Sequence, residues 1–441
     1  MRTFPLMEID AIDEAITSAD AAFKLWRQFS VEERIGLVGK VLENLNARTE
    51  ELARMDALEM GKPITQSRME LGLCANICTY YIENAERLLA PTSINNSALG
   101  PATSYYEPAG IIFGVMPWNF PYSQVFRFAI PGIIAGSTVL VKHASNVPQC
   151  ASLMEEVFSS ALPEGVYQNL FISSSQVEQV IADPRVAIVT LTGSNAAGSS
   201  VASLAGKYVK KSIMELGGSD PFIVLDDANL EATIPQAVFG RLRNAGQACT
   251  CAKRMIVQSS IYDEFVSKLK SEFEKLVIGD PLSDDTFMGP LVSPEARENI
   301  EEIVADAVKK GATVVTGGRS IDGPGNFYQP TILIGVKPGM RAYDEEVFGP
   351  VAIVYPVDTL DQAVELANDT IYGLSATIWT SNPENARTIA SRIDSGMVGI
   401  NVLYASTPSL PFGGVKQSGY GRELGEFGIR ELVNVKTVAG I

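Results

Sequence analysis

The stretch Gly246-Gln247-Ala248-Cys249-Thr250-Cys251 sets a cysteine among glycine and polar residues. Cysteines inside apolar runs pack and stay inert, whereas one in an open, polar stretch can be reached and ionised to a nucleophilic thiolate. Cys74 and Cys78, one helical turn apart on an apolar stretch, are of the first kind and Cys249 is of the second. A nucleophile needs a base. His143 is the one histidine of the chain, beside Lys142 and far from Cys249 in sequence. Glu215, in Ile213-Met214-Glu215-Leu216-Gly217-Gly218, is a lone carboxylate between apolar residues and a glycine pair. It reads either as a general base with a raised pKa or as a salt-bridged helix terminus. Asn119, in Pro117-Trp118-Asn119-Phe120-Pro121, is either an oxyanion donor or a turn residue. The turn Leu191–Gly198 follows an apolar run and could offer backbone N–H groups to a phosphate. Gly193 and Gly198 have the spacing of an ATP-binding loop, but Ser199 and Ser200 stand where Lys and Ser/Thr are required, which excludes that reading. The dinucleotide fingerprint G-x-G-x-x-G is absent.

These residues must be positioned by regular elements. Residues 8–93 carry apolar positions at helical spacing, as in Ile12, Ile16, Phe23 and Trp26 and again in Ile35, Val38 and Leu42. Thr103–Pro108 reads as a strand outside the main core. From residue 110 the rhythm changes. GIIFGVM, STVLVK, QNLFIS and VAIVTLTG are short apolar runs, with helical stretches such as Cys150–Ser160 and Gln176–Ile181 between them. PFIVL, RMIVQ, ATVVTGG, YQPTILIG and PVAIVYP continue the alternation. Strands alternating with helices predict parallel sheets with crossover helices.

Composition bounds the partners. A chain of 441 residues exceeds one ordinary core, so two large domains plus a smaller element are expected. The net charge of −16 argues against nucleic acid or an anionic membrane as partner. Five cysteines make no disulfide framework, and with a single histidine no metal site is expected. The start lacks the apolar core of a signal peptide and no stretch is long enough to span a bilayer, so a reduced, cytoplasmic setting is expected.

Taken together and in order, PWNFP (117–121), VLVKHAS (139–145), TLTGS (190–194), MELGG (214–218), NAGQACTCAKR (244–254), EEVFGP (345–350), YGLSA (372–376) and PFGGVKQSGYGRELG (411–425) resemble the aldehyde dehydrogenase superfamily over nearly the whole chain. The resemblance implies an α/β fold: a Rossmann-type cofactor domain from 1–90 plus 109–216, an α/β catalytic domain from 217–420, and a small β oligomerisation extension from 91–108 plus 421–441. It implies Cys249 as nucleophile, Asn119 with the Cys249 backbone N–H as oxyanion donors, and Glu215 as the base that activates water. A retained Glu215 argues against the coenzyme-A-acylating branch. Trp118, Lys142, Ser145, Gly193, Ser194, Glu346 and Phe348 match cofactor contacts. Ser145 stands where strict NAD enzymes of the family commonly have Glu, which would repel a 2′-phosphate. NADP is therefore expected to be accepted and preferred, with NAD use left open.

Arg127, Arg243 and Ser406 resemble the residues that hold the substrate carboxylate in the succinate-semialdehyde branch of the family. Guanidinium groups suit that task, forming forked, charge-assisted bonds to carboxylates. The alternative for both arginines is a surface ion pair. Oxidation of succinate semialdehyde to succinate is the leading expectation. Another aldehyde, such as glutarate semialdehyde or an aliphatic one, is the second reading, and a catalytically silent protein on this fold is the third. Lys142-His143-Ala144-Ser145 differs from the commoner Lys-Pro form and resembles a bacterial subgroup. Cys251 resembles a second cysteine that, in some members, forms a disulfide with the nucleophile. Edge strands in the extension invite pairing, so a homodimer or homotetramer is expected.

Overall fold

The computed structural model describes residues 4–440. Four helices open the chain: α1 (Ile9–Trp26), α2 (Val31–Ala47), α3 (Thr49–Met60) and α4 (Ile64–Leu88). Their apolar positions fall on one face. In α1, Ile12, Ile16, Ala19 and Trp26 are buried, and α2 buries Val38, Val41 and Leu45. Local chemistry sets the ends. Ser30 and Glu33 form a reciprocal capping box, with Glu33 N donating to Ser30 Oγ at 3.1 Å and Ser30 N to Glu33 Oε2 at 2.7 Å.

The first large sheet has six strands. Ile111–Val115 lies inside it. Thr138–Lys142 and then Tyr167–Asn169 extend one side, and Val186–Thr192 and then Lys211–Glu215 extend the other, all parallel. The short strand Gly419–Tyr420 pairs antiparallel with Lys211–Glu215 and closes that edge. Helices cover the strands, so Thr138–Lys142 is buried at every position and reads as a continuous apolar run. Strand order reverses between Ile111–Val115 and Val186–Thr192, and a crevice at the carboxyl ends of such strands is where an open α/β sheet takes its ligand. Helix α5 (Ser123–Ile134) follows the PWNFP loop and is buried along its whole length.

The second large sheet has seven strands in the order 313–316, 331–334, 351–357, 252–258, 220–224, 375–379, 397–400. All its pairings are parallel except that of Thr313–Thr316. Thr92–Ile94, Ala102–Pro108 and Val433–Ala439 form a separate antiparallel sheet with Val433–Ala439 at one edge. No described helix is long and apolar enough to cross a membrane.

Candidate active site

The helix Leu230–Leu242 ends just before Arg243, and the backbone then turns left-handed at Asn244 (φ 49°), Ala245 (φ 54°) and Gly246 (φ 74°). Such conformations cost roughly 1–3 kcal/mol for each non-glycine residue and persist only where the surroundings hold them. Here they do. Asn244 N donates to Gln66 Oε1 at 2.7 Å, Asn244 Nδ2 to Asn119 O at 3.1 Å, and Gln247 Nε2 to Asn244 O at 3.0 Å. The fully buried Arg241 guanidinium donates to Val351 O at 2.6 Å and Val347 O at 2.8 Å, and also to Gly349 O. Gly246 passes so close that a Cβ there would lie 2.3 Å from Gly349 O. The result is a rigid loop with Cys249 three residues beyond the left-handed run.

Cys249 opens onto a cavity of about 260 Å³. Arg127, Arg243, Ser406, Phe120, Gln124 and Thr250 are among the residues that share its lining. The three residues expected to hold a carboxylate thus line one cavity with the candidate nucleophile. Arg127 donates Nη2 to Ser406 Oγ, stacks over the Phe412 ring at 4.0 Å, and has Nη1 3.5 Å from Glu423 Oε2. Arg243 Nη2 donates to Thr250 Oγ1 at 2.6 Å, and its buried Nε has no partner among the described residues. Neither arginine makes a surface ion pair among the described residues. Dense surroundings push the Cys249 thiol up to about 12, opposed by the positive charges of Lys253 and Arg127.

Asn119 is tied directly to the nucleophile loop. Its Nδ2 donates to Gln247 O at 3.0 Å, and its Oδ1 accepts from Gln124 Nε2 at 3.3 Å. With the carbonyl fixed by Gln124, the amide retains one N–H for another acceptor. A buried charge cluster braces this loop from behind. Glu70 Oε1 accepts from Tyr122 N at 3.0 Å and Ser123 N at 2.8 Å, at the start of α5. Lys62 pairs with Glu70 and with Asp56 (2.9 Å), and its Nζ lies 4.3 Å from the centre of the Phe120 ring. His143 Nε2 sits 3.1 Å from Pro121 O, and burial pulls the ring down to about 4, so it stays neutral. His143 lines a different cavity from Cys249 and supports the loop instead of pairing with the thiol.

Glu215 is the last residue of its strand, so the helix-terminus reading is corrected. Neither carboxylate oxygen has a hydrogen-bond partner among the described residues. Burial raises its pKa well above the usual range. The charge of Glu423 raises it further, while Arg127 and Arg422 oppose. Gly413 packs against it: its φ is +152° and a Cβ there would lie 2.6 Å from Glu215 Oε1. The backbone O of Glu215 accepts from Gly193 N at 2.9 Å, tying the base's strand to the turn that carries Ser194.

The expected cofactor contacts collect around the carboxyl ends of the first sheet. Ser194 caps the helix Asn195–Lys207, accepting from Ala197 N at 3.3 Å, and no acidic residue occupies that helix's first turn. Lys142 is buried, and its ammonium donates to His143 O at 3.3 Å. Burial lowers its pKa. That contact uses one of its three donors, which leaves the others for ribose hydroxyls. Ser145 is exposed beside a cavity of about 300 Å³ that no acidic side chain among the described residues lines. Trp118 and Phe348 meet edge to face with ring centroids 5.9 Å apart. Glu346 Oε1 accepts from Gly218 N at 3.1 Å and pairs with Lys253 Nζ at 2.9 Å. These residues fit a dinucleotide.

Lys253 and Glu423 had no role assigned from sequence, although both fall inside the quoted motifs. Lys253 Nζ also donates to Cys249 O at 2.7 Å and Ala248 O at 3.0 Å, joining the nucleophile loop to Glu346. Cys251 is fully buried beside Arg241 and does not line the Cys249 cavity.

The aldehyde dehydrogenase family profile matches residues 1–438. The chain is 47% identical over 439 residues to succinate-semialdehyde dehydrogenase [NADP(+)] of Deinococcus radiodurans, covering 99% of this chain and 92% of that one. It is 45% identical to succinate-semialdehyde dehydrogenase [NADP(+)] 1 of Mycobacterium tuberculosis, covering 99% and 96%. The crystal structure of the succinic semialdehyde dehydrogenase from Streptococcus pyogenes in complex with NADP+ superposes with a TM-score of 0.97 at 41% identity, covering 99% and 96%. A family profile spanning residues 1–438 and relatives 45–47% identical over 99% of the chain place this protein in the aldehyde dehydrogenase family.

Proposed function

We propose that the protein oxidises succinate semialdehyde to succinate with NADP+ as oxidant. The observation that carries this reading is the single cavity lined by Cys249, Arg127, Arg243 and Ser406. The guanidinium groups and the Ser406 hydroxyl hold the substrate's carboxylate and leave its aldehyde end for the sulfur.

Cys249 starts as a thiol and gives up its proton to solvent water as the sulfur adds to the aldehyde carbon. Lys253 and Arg127 favour the thiolate that forms. The free N–H of Asn119 and the backbone N–H of Cys249 stabilise the oxyanion. NADP+ supplies the hydride acceptor for the oxidation. Lys142, Ser194, Glu346 and the Trp118–Phe348 pair would hold it, and the small, neutral Ser145 would leave room for a 2′-phosphate. Glu215 then takes a proton from the water that hydrolyses the Cys249 thioester and passes it to the departing sulfur, so the free thiol and the ionised base return together.

Two features support the expected setting. The strand Val433–Ala439 has an open edge with Val435 exposed, which suits pairing in a homodimer or tetramer. All five cysteines are unpaired, which suits a reducing compartment such as the cytoplasm. The test of the function is steady-state reduction of NADP+ and NAD+ with succinate semialdehyde, glutarate semialdehyde and butanal. A kcat/KM advantage for succinate semialdehyde with NADP+ is expected. Turnover confined to butanal would overturn the substrate while leaving the Cys249 chemistry in place.

A further inference from the structure

Helix α4 touches both halves of the site without a part in the proposed chemistry. Gln66, Met69, Glu70 and Leu73 fall at positions i, i+3, i+4 and i+7, so one helical face forms a wall of the Cys249 cavity. Two of those side chains reach the backbone of two different segments. Gln66 Oε1 accepts from Asn244 N at 2.7 Å, at the residue next to Arg243. Glu70 Oε1 accepts from Tyr122 N at 3.0 Å and Ser123 N at 2.8 Å, at the head of α5, the helix that carries Arg127.

Both ties are themselves held. The Gln66 amide is fixed at its other end, with Nε2 donating to Phe287 O at 2.7 Å. The same stretch of chain receives the start of the helix: Ile64 N donates to Pro281 O at 2.8 Å, and a Cβ on Gly61 would lie 2.7 Å from Pro290. Glu70 is buried, and its Oε2 pairs with Lys62, which also pairs with Asp56 at 2.9 Å. On its far side α4 buries Leu71, Cys74 and Ile77, so the helix cannot shift without opening a close-packed core.

Arg243 and Arg127 come from different segments and are read to grip one carboxylate. A forked, charge-assisted grip works only in a narrow geometry. The two segments also meet directly at Asn119, which bonds to Asn244 and Gln247. A junction at one residue leaves rotation about it free, and the link through α4 removes that freedom. Gln66 and Glu70 stand one helical turn apart, about 6 Å along the axis. We propose that Gln66 and Glu70 are positioning residues that make α4 a ruler: they hold Arg243 and Arg127 in one register, and that register selects the four-carbon semialdehyde over the five-carbon one. This rests on the reading of the two arginines as the carboxylate anchor. Without the Gln66 tie, the buried Asn244 N loses its acceptor and Arg243 is free to move relative to Arg127. The cations remain, but their fixed span is lost.

The test is Gln66→Met, which keeps the length of the side chain and removes both of its bonds. Values of kcat and KM are measured with NADP+ and succinate semialdehyde, glutarate semialdehyde and butanal. All three aldehydes should lose roughly fivefold in kcat/KM from the loosened cysteine loop. Succinate semialdehyde should lose about tenfold more, mostly in KM, because discrimination of one methylene is worth about tenfold or more and is no longer enforced. The succinate-to-glutarate semialdehyde ratio should therefore narrow about tenfold. If Gln66→Met fails to fold, Gln66→Asn keeps the amide but leaves it one methylene short of Asn244 N, and the same narrowing is expected. A ratio unchanged by the substitution, or a wild-type enzyme that handles the two semialdehydes alike, would overturn the proposal and leave Gln66 as a brace of the cysteine loop. Wild-type enzyme that prefers succinate semialdehyde no more than butanal would instead remove the substrate reading, and the proposal with it.

Discussion

Replacing Arg243 separates substrate recognition from chemistry. Its guanidinium lines the cavity with Cys249, has a buried Nε without a partner, and spends Nη2 on Thr250. Arg243→Ala therefore removes two things. The first, on the proposed reading, is a charge-assisted bond to the substrate's carboxylate, worth about 1.5–3 kcal/mol, or about 10- to 150-fold in kcat/KM. The second is the bond to Thr250, next to Cys249, worth about 1 kcal/mol or roughly fivefold. Only the second applies to an uncharged aldehyde. With succinate semialdehyde and butanal assayed side by side, the ratio of their kcat/KM values should fall by about 10- to 150-fold. Most of the loss should appear in KM, because the carboxylate contact is made equally in the ground and transition states. Arg243→Lys keeps a charge but loses the planar fork, and should fall between wild type and Ala. Equal losses for both aldehydes would refute the carboxylate role and leave Arg243 as a brace for Thr250.

Two further substitutions test the base and the cofactor site. Glu215→Gln should lower kcat by about 10²–10⁴ and yet stabilise the fold at alkaline pH. The folded pKa of Glu215 lies well above its unfolded value, so the native state loses stability as pH rises from the unfolded value to the folded one, by about 1.4 kcal/mol per unit. The Tm difference between Glu215→Gln and wild type should widen from pH 5 upward, and a difference that is flat with pH would contradict the burial of an unpaired carboxylate. Ser145→Glu puts an anion beside the expected 2′-phosphate and should cut kcat/KM for NADP+ by roughly tenfold or more while sparing NAD+. An unchanged NADP+/NAD+ ratio would place the phosphate away from Ser145.

Sequence patterns expose elements whose composition matches their burial. The runs around Ile111–Val115, Thr138–Lys142 and Val186–Thr192 stand out because both faces of their sheet are covered. The strand Lys211–Glu215 does not stand out. It begins with Lys and Ser at its exposed end and closes on a glutamate, so its apolar signal is two residues long. By sequence alone Glu215 therefore fits a helix terminus as well as it fits a base. The left-handed run Asn244–Gly246 is also hidden, because Asn and Ala adopt that conformation only under contacts from Gln66 and Asn119, distant in sequence.

Buried charge was the least legible feature. Lys62, Arg241, Lys253 and Glu423 have the residue types of a solvated surface, and nothing in their neighbours marks them as interior. Arg241, Lys253 and Glu423 are each paired or hydrogen-bonded by a segment far along the chain, Lys62 sets its ammonium over the Phe120 ring while pairing with Asp56 and Glu70, and each touches an element that bears a proposed reacting or substrate-binding group. The pattern has a physical cause. A site that must oppose a buried thiol, a buried base and two arginines cannot be set by apolar packing alone, which has no direction. Charge pairs in a low-dielectric interior do have direction, and breaking one leaves its partner uncompensated at a cost of several kcal/mol. They therefore fix the relative positions of Asn119, Cys249 and Arg127 more sharply than the aliphatic core behind them could. Sequence motifs locate the reacting groups, and the interior ions between them determine how those groups meet.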